Sequence, residues 1–249
     1  MSQSIHRAAE ILELVSVEPR TQSEVAAHLG VHRSTALRML QALTETGLTR
    51  RHADGRYGVG YRLSGLARTA RDQFDLANIA RATLAELGRE CRHTVHLATL
   101  DGDRIVYVDK IEQPGMVRLY SQIGQPVVLH TAGVSKAILA YQPAETVDRM
   151  LAGHEFARYT DTTLTSRAAF EEDLERTRER GWAVDDAEYE SFVNCIAMPI
   201  RDASDEVIAA VSITALKASA ELEDLERLQG RLDEVVRAIS YDIGWRESP

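Results

Sequence analysis

Residues 20–63, RTQSEVAAHLGVHRSTALRMLQALTETGLTRRHADGRYGVGYRL, decide the fold of this chain because their spacing predicts two helices, a tight turn and a β-hairpin. Val25, Ala26 and Leu29 recur at helical spacing, and Gly30 follows where a residue free to adopt positive φ can end a helix. The second helix is predicted to begin between 32 and 34 and to bury Ala36, Leu37, Leu40 and Leu43. This pattern indicates a helix-turn-helix.

The outer face of the second helix carries short or forked hydrogen-bonding side chains near its N-terminus: His32, Arg33, Ser34, Thr35 and Arg38. A helix that enters the DNA major groove presents such groups from its first turns. Arg33 and Arg38 are the best candidates for reading bases, because one guanidinium can bond two acceptors of guanine at once. The sequence therefore predicts double-stranded DNA as a partner.

A basic β-hairpin, or wing, is predicted after the second helix. Residues 48–51 and 56–59 are β-prone and flank the turn-forming residues 53–55. Arg50, Arg51 and Arg56 lie on or beside the hairpin, where they can contact backbone phosphate or the minor groove. The alternative is a helical hairpin with a solvated basic face, but turn glycine, polar face and basic hairpin together favour DNA binding.

The charge of the chain is divided unevenly along its 249 residues, a length that predicts two domains. The net charge is -9, yet residues 1–64 carry eight arginines against six acidic residues, a net charge of +2, which leaves -11 for the remainder. The acidic part is not expected to contact nucleic acid. Because a charge of +2 predicts weak binding by one copy, we expect a homodimer or homotetramer that binds two half-sites.

The other composition signals describe an ordinary cytoplasmic protein. Cys91 and Cys195 lie far apart and outside any CxxC motif, so a disulfide framework is not expected. The longest apolar run, 207–216, is too short to span a bilayer, so no membrane partner is predicted. The eight histidines show no ligand spacing, and neither a metal site nor a cofactor is predicted.

Periodicity divides the chain into a DNA-binding domain (1–64), a continuous amphipathic linker helix (65–88, beginning at Leu63) and a second domain (89–249). A supporting helix at 4–16 precedes the helix-turn-helix. The second domain is predicted to contain strands at 94–100, 104–111, 116–123, 195–201 and 207–216, and helices at 131–141, 144–151, 166–181 and 221–245. Hairpins alternating with helices indicate the α+β class.

Two features of the second domain could hold a ligand. Along the last strand Ser212 and Thr214 share one face, a pair of hydroxyls that suits a polar ligand. Gly133 and Val134 begin a predicted helix, whose unpaired backbone amides favour a carboxylate or phosphate. For this helix the residues alone favour the alternative, a capped structural helix with Lys136 in solvent.

The wing motif, together with IGQPVVLHTAGVSKAILA, RERGWAVDDAEYESFVNCIAMPIRD and AAVSITA, resembles the IclR family of bacterial transcriptional regulators along essentially the whole chain. The resemblance implies an N-terminal winged helix-turn-helix, a linker helix and a C-terminal GAF-like effector-binding domain, usually in dimers or dimers of dimers. It also implies a small carboxylate effector bound by Gly133, Val134, Asp185, Cys195, Ser212 and Thr214.

Two residues depart from the family pattern, Ser135 in place of glycine and Thr214 in place of serine, and both are expected to narrow the pocket. The LYSQIG run resembles members that respond to sugar acids. A sugar acid or a hydroxy or keto acid is therefore the expected effector of a ligand-responsive regulator. Because Asp185 would repel an acidic ligand, we expect a ligand hydroxyl to face it.

Two other functions are alternatives to a ligand-responsive regulator. One is an enzyme that acts on a small carboxylate through Cys195, His130 and Asp185. However, Cys195 is flanked by apolar residues within a strand, which is typical of a buried thiol, and no catalytic signature supports turnover. The other is a thiol redox sensor that uses Cys91 and Cys195.

Overall fold

The computed structural model describes residues 3–73, 75–112, 119 and 121–247. The chain divides into two compact units, Met1–Phe74 and Asp75–Pro249. The described part of the first unit contains α1 (Gln3–Val17), α2 (Gln22–His28), α3 (Arg33–Glu45), β1 (Thr49–Arg51), β2 (Tyr57–Val59) and α4 (Arg62–Gln73). The predicted helix-turn-helix and hairpin are therefore confirmed.

Local sequence signals fix the ends of the first helices. Thr21 and Glu24 form a capping box at the start of α2, in which each side chain accepts a hydrogen bond from the backbone N–H of the other. Gly30 has a φ of +62° and begins the turn toward α3. The helices enclose an apolar core that includes Ile11, Val15, Val25, Ala36 and Leu40. Leu37, predicted to be buried, is only half-buried.

The hairpin is an antiparallel pair in which Thr49 faces Val59 and Arg51 faces Tyr57. A Cβ atom added at Gly60 would lie 2.1 Å from the backbone oxygen of Gly47. Only glycine allows this close approach, which brings the end of the wing back against the end of α3. The hairpin is thereby held close to α3.

The second unit contains α5 (Leu76–Cys91), β3 (Thr94–Asp101), β4 (Arg104–Ile111), α6 (Gly133–Leu139), α7 (Ala144–Met150), α8 (Arg167–Arg180), β5 (Ala183–Asp186), β6 (Val193–Arg201), β7 (Val207–Leu216), α9 (Leu222–Glu226) and α10 (Gln229–Asp242). Its sheet has the order β4-β3-β7-β6-β5, with every neighbouring pair antiparallel. One core lies between the sheet and α6, α7 and α8, and a second between the sheet and α5, α9 and α10. The α+β class is confirmed.

Two helices, α4 and α5, occupy the stretch for which one continuous linker helix was predicted. Asp75 starts the second of them, because its side chain accepts a hydrogen bond from the backbone N–H of Asn78 at 3.3 Å. Ala80, Leu84 and Leu87 of α5 then pack into the core of the second unit. The apolar periodicity continues through both amphipathic helices, so the sequence pattern did not indicate the break between α4 and α5.

The elements predicted for the second domain depart from the structure in two further places, and one predicted strand lies mostly outside the described residues. Residues 116–118 and 120 of the strand predicted at 116–123 are not described, and residues 119 and 121–123 belong to no strand. The last predicted helix is divided into α9 and α10. The edge strand β5 was not predicted, because four residues of mixed polarity give no clear alternation.

Candidate functional site

The N-terminus of α3 presents the residues that were predicted to read DNA. His32 caps the helix: its Nδ1 accepts a hydrogen bond from the backbone N–H of Ser34 at 3.3 Å and lies 2.8 Å from the Ser34 hydroxyl. Arg33 and Arg38 are exposed, whereas Thr35 is half-buried. Gln22 of α2 donates a hydrogen bond to the backbone oxygen of Arg33 at 2.9 Å. The first turn of the reading helix is thus fixed by its own cap and by the preceding helix.

The three arginines of the wing differ in their surroundings. Arg50 and Arg51 are exposed on β1, and the Arg50 guanidinium lies 5.3 Å from the ring centre of Tyr61. Arg56 is half-buried and donates a hydrogen bond to the backbone oxygen of Pro19 at 3.0 Å. Glu24 and Asp54 each lie 3.7 Å from its guanidinium. Arg50 and Arg51 are therefore freer to reach DNA than Arg56.

In the second unit, all six residues assigned to the effector by resemblance line one cavity of about 40 Å³: Gly133, Val134, Asp185, Cys195, Ser212 and Thr214. The sheet register produces this convergence. Asp185 pairs with Cys195, and Cys195 pairs with Thr214, so one row crosses three strands. A cavity of this size has room for roughly three water molecules.

Gly133 allows α6 to approach the sheet. A Cβ atom at this position would lie 2.9 Å from Sγ of Cys195 and 3.4 Å from Cβ of Ala197. Ser135, expected to narrow the cavity, does not line it: its hydroxyl donates a hydrogen bond to the backbone oxygen of Leu129 at 2.7 Å. That expectation was wrong, whereas Thr214 does line the cavity.

The expectation that Lys136 lies in solvent was also wrong, since its side chain is fully buried. Its ammonium donates hydrogen bonds to the backbone oxygen of Val184 at 2.6 Å and to Glu188 at 2.5 Å, and it lies 3.1 Å from Asp173. Burial disfavours the charged form, but the surrounding carboxylates outweigh burial and raise the pKa of Lys136. The helix holds a buried ion cluster beside the cavity.

Asp185 belongs to both the cavity and this cluster. Its Oδ1 accepts a hydrogen bond from the backbone N–H of Glu188 at 2.8 Å. Burial raises the pKa of Asp185 to about 6, although the charge of Lys136 opposes the shift. Near neutral pH the carboxyl can therefore exchange a proton, and in its neutral form it can donate a hydrogen bond to a ligand.

Several cavity residues were missed by sequence reasoning, namely His96, Ser121, Tyr189 and Glu190. His96 was detectable, because it is a polar residue within an otherwise apolar run of β3. The others lie outside the regular elements, where no periodicity points toward a ligand.

Comparison with known proteins agrees with this architecture. A family model described as "Bacterial transcriptional regulator IclR C-terminal" matches residues 68–241, and one described as "IclR helix-turn-helix domain" matches residues 4–53. The chain belongs to the IclR family of transcriptional regulators. It therefore combines a DNA-binding domain with the C-terminal domain through which IclR regulators bind small-molecule effectors.

The chain is similar to IclR relatives over nearly its full length. The transcriptional regulator XynR of Escherichia coli (strain K12) is 30% identical, over 98% of each chain. The regulator KdgR of the same organism is 32% identical, over 91% of this chain and 87% of KdgR. The crystal structure of Thermotoga maritima IclR gives a TM-score of 0.64 at 29% identity and covers 98% of this chain and 100% of that one.

The enzyme alternative does not survive the geometry or the IclR membership. His130 is absent from the cavity lining, and its ring nitrogens lie 2.9 Å from His154 and 3.0 Å from the backbone oxygen of Ala157. Burial raises the pKa of Cys195 to about 12, so this residue is a neutral thiol and a poor nucleophile. Cys91 packs in the core on the opposite face of the sheet from Cys195, which argues against a disulfide between them.

Within the described residues, no helix has both the length and the apolar character needed to cross a membrane. The same part of the chain contains no cluster of three or more potential metal-binding side chains.

Proposed function

We propose that this IclR regulator reads an operator through α3 and the wing, and that a small organic acid bound in the second unit controls this binding. His32, Arg33, Ser34, Thr35 and Arg38 are the proposed contacts of α3, and Arg50, Arg51 and Arg56 those of the wing. The exposure of Arg33 and Arg38 at a capped helix start supports base reading by these two residues.

The single observation that carries the effector proposal is the convergence of Asp185, Cys195, Ser212 and Thr214 with the start of α6 around one cavity. Hydroxyls and backbone amides supply donors for a carboxylate, and Asp185 supplies a partner for a hydroxyl. The cavity of about 40 Å³ would have to widen for either class of acid, and less for a short hydroxy or keto acid than for a longer sugar acid, so the shorter acids are favoured. At about 1.5 kcal/mol per heavy atom at most, such an acid reaches micromolar affinity.

A homodimer or homotetramer would present two reading helices to half-sites roughly 34 Å apart or a multiple of that distance. The small positive charge of residues 1–64 supports this proposal, because one copy would bind DNA weakly. An effector that changes the spacing of the two helices by a small movement would lower operator affinity, and a coupling of about 1–3 kcal/mol suffices. We expect the chain to act in the cytoplasm, where operator DNA lies.

The effector assignment is tested by calorimetry on the full chain with lactate, pyruvate and gluconate, and with propionate as the deoxy control for lactate. Lactate is expected to bind more tightly than propionate, because only lactate offers Asp185 a hydroxyl. The variant Asp185→Asn should reduce this preference. Equal binding of lactate and propionate, or no binding of any acid, would contradict the proposal.

A further inference from the structure

A buried histidine lies at the centre of the hydroxyl groups that line the effector cavity. His96 pairs with Ser212 across β3 and β7, and its side chain is almost completely buried. Its Nε2 lies 2.8 Å from the hydroxyl of Ser121, whereas its Nδ1 lies 3.3 Å from that of Ser212 and 3.2 Å from that of Thr214. Both ring nitrogens are thus within hydrogen-bond reach of hydroxyls in the cavity wall.

The ring is neutral. Burial lowers the pKa of His96 to about 3, and the charge of Lys110 adds to the effect. A neutral imidazole has one donor nitrogen and one acceptor nitrogen, and hydroxyl protons rotate to suit their partners. The position of the ring proton therefore decides in which direction the hydroxyls of Ser212 and Thr214 can donate.

The two tautomers of His96 differ in how many hydroxyl protons they leave available to a ligand. If Nδ1 carries the proton, it donates to a hydroxyl oxygen, and neither hydroxyl proton is drawn toward the ring, although the two hydroxyl oxygens also lie 3.4 Å from each other. If Nε2 carries the proton, Nδ1 accepts a proton from Ser212 or Thr214, and at most one hydroxyl proton remains for the ligand. The Nδ1–H form thus suits an acceptor oxygen better.

A carboxylate accepts hydrogen bonds and donates none. The donors that Ser212 and Thr214 offer a carboxylate are neutral hydroxyls. Lys110 donates a hydrogen bond to the backbone oxygen of Ser121 at 3.1 Å and so holds the residue whose hydroxyl lies 2.8 Å from Nε2. A hydroxyl can donate to Nε2 as well as accept from it, so this contact is compatible with a proton on Nδ1, the form that a carboxylate ligand favours.

We infer that His96 is a positioning residue of the effector site, which in its Nδ1–H form turns the hydroxyl protons of Ser212 and Thr214 toward an acceptor oxygen of the bound acid. The inference rests on the proposed function of the cavity. It adds a specificity rule: effectors must present an acceptor, not a donor, to this wall of the site.

Two amide substitutions at His96 test the roles of Nδ1 and Nε2 separately. In His96→Asn the amide lies near the position of Nδ1 and can still donate to the two hydroxyls, whereas in His96→Gln it reaches toward Ser121 and leaves them without this donor. We expect His96→Asn to bind lactate within about threefold of the wild type and His96→Gln to bind roughly tenfold more weakly, the size of one or two net hydrogen bonds. Urea unfolding of both variants controls for a general loss of stability.

The tautomer itself is measured without any ligand. Nitrogen-15 NMR of the histidine rings in the full chain distinguishes a protonated Nδ1 from a protonated Nε2, and the signal missing from His96→Asn identifies His96. We expect a neutral Nδ1–H ring. A neutral Nε2–H ring, or equal loss of lactate binding in both variants, would overturn the inference. Failure of the wild type to bind lactate would instead count against the proposed effector, and the NMR result would still decide the tautomer.

Discussion

The ammonium of Lys136 lies 2.5 Å from Oε1 of Glu188, and both side chains are buried next to the effector cavity. Asp173 lies 3.1 Å from the same ammonium and 3.2 Å from the guanidinium of Arg176, and the charge of Asp185 also acts on Lys136. Within the described residues Oε2 of Glu188 has no hydrogen-bond partner. Two cations, Lys136 and Arg176, thus face three carboxyl groups, which favours a proton on one of the carboxyl groups.

We expect Lys136→Met to unfold at a lower urea concentration than the wild type. Removing one partner of a buried ion pair leaves an uncompensated charge and costs about 3–5 kcal/mol. The full loss is expected above about pH 8, where Glu188 is ionised, and a smaller loss below it, where Glu188 is neutral. The double variant Lys136→Met/Glu188→Leu should recover part of this loss, because it removes a carboxyl group as well. Equal unfolding midpoints for the wild type and Lys136→Met would show that the ion cluster contributes no stability.

The free energy of unfolding should fall as the pH rises, because Glu188 belongs to the same buried cluster. Burial raises the pKa of Glu188 from its ordinary value of 4.5 to about 8, against the opposing charge of Lys136. The folded protein therefore holds this proton more tightly than the unfolded chain. The resulting stabilisation is complete below 4.5 and is lost as the pH rises through about 8.

The pH prediction is measured by urea unfolding of the wild type and Glu188→Gln across this window. The variant cannot titrate at position 188, so its stability should change less with pH than that of the wild type. Asp185, whose pKa is raised to about 6, should leave a smaller residual slope in the variant. Parallel curves for the two proteins would contradict the assignment to Glu188.

The DNA-binding helix and the proposed effector site were predictable from sequence to different degrees. The reading helix was visible because exposed polar residues, a turn glycine and periodic apolar residues lie close together between 20 and 63. The residues proposed to bind the effector come from α6 and three strands, and only family resemblance grouped them before the structure placed them around one cavity. Their contacts depend on strand register, which one sequence does not determine.

The ion cluster could not be predicted for a related reason. Lys136 is near the start of a short helix, where a lysine is usually solvated, and its partners Asp173 and Glu188 lie 37 and 52 residues away. Charged side chains are almost never fully buried without partners, so solvent was the reasonable expectation. Only tertiary packing reveals that the partners are present.

Arg38→Ala is expected to weaken operator binding and to leave lactate binding unchanged. A bidentate contact with guanine contributes about 1–3 kcal/mol of discrimination, so gel shifts should weaken roughly tenfold on fragments that the wild type selects from randomised duplexes. Arg227→Ala is the matched control, because this exposed arginine caps the C-terminal end of α9 in the second unit. Unchanged gel shifts for Arg38→Ala would remove this residue from the reading face.

Gly133→Ala should close the effector cavity from the helix side. The new Cβ would lie 2.9 Å from Sγ of Cys195, so α6 or β6 must shift. Overpacking of this kind costs about 1–3 kcal/mol, and calorimetry should detect weaker or absent lactate binding. Gly230→Ala is the control in the same unit, because a Cβ at Gly230 meets no atom within 4 Å.

The contact with Cys195 can be tested separately. In Gly133→Ala/Cys195→Ala the sulfur that the new methyl group would meet is gone, so stability should recover relative to Gly133→Ala alone. The measured quantity is the interaction free energy of the double-mutant cycle, which should be favourable to the double variant. Additive effects of the two substitutions would mean that Gly133 is required for a reason other than the approach of α6 to β6.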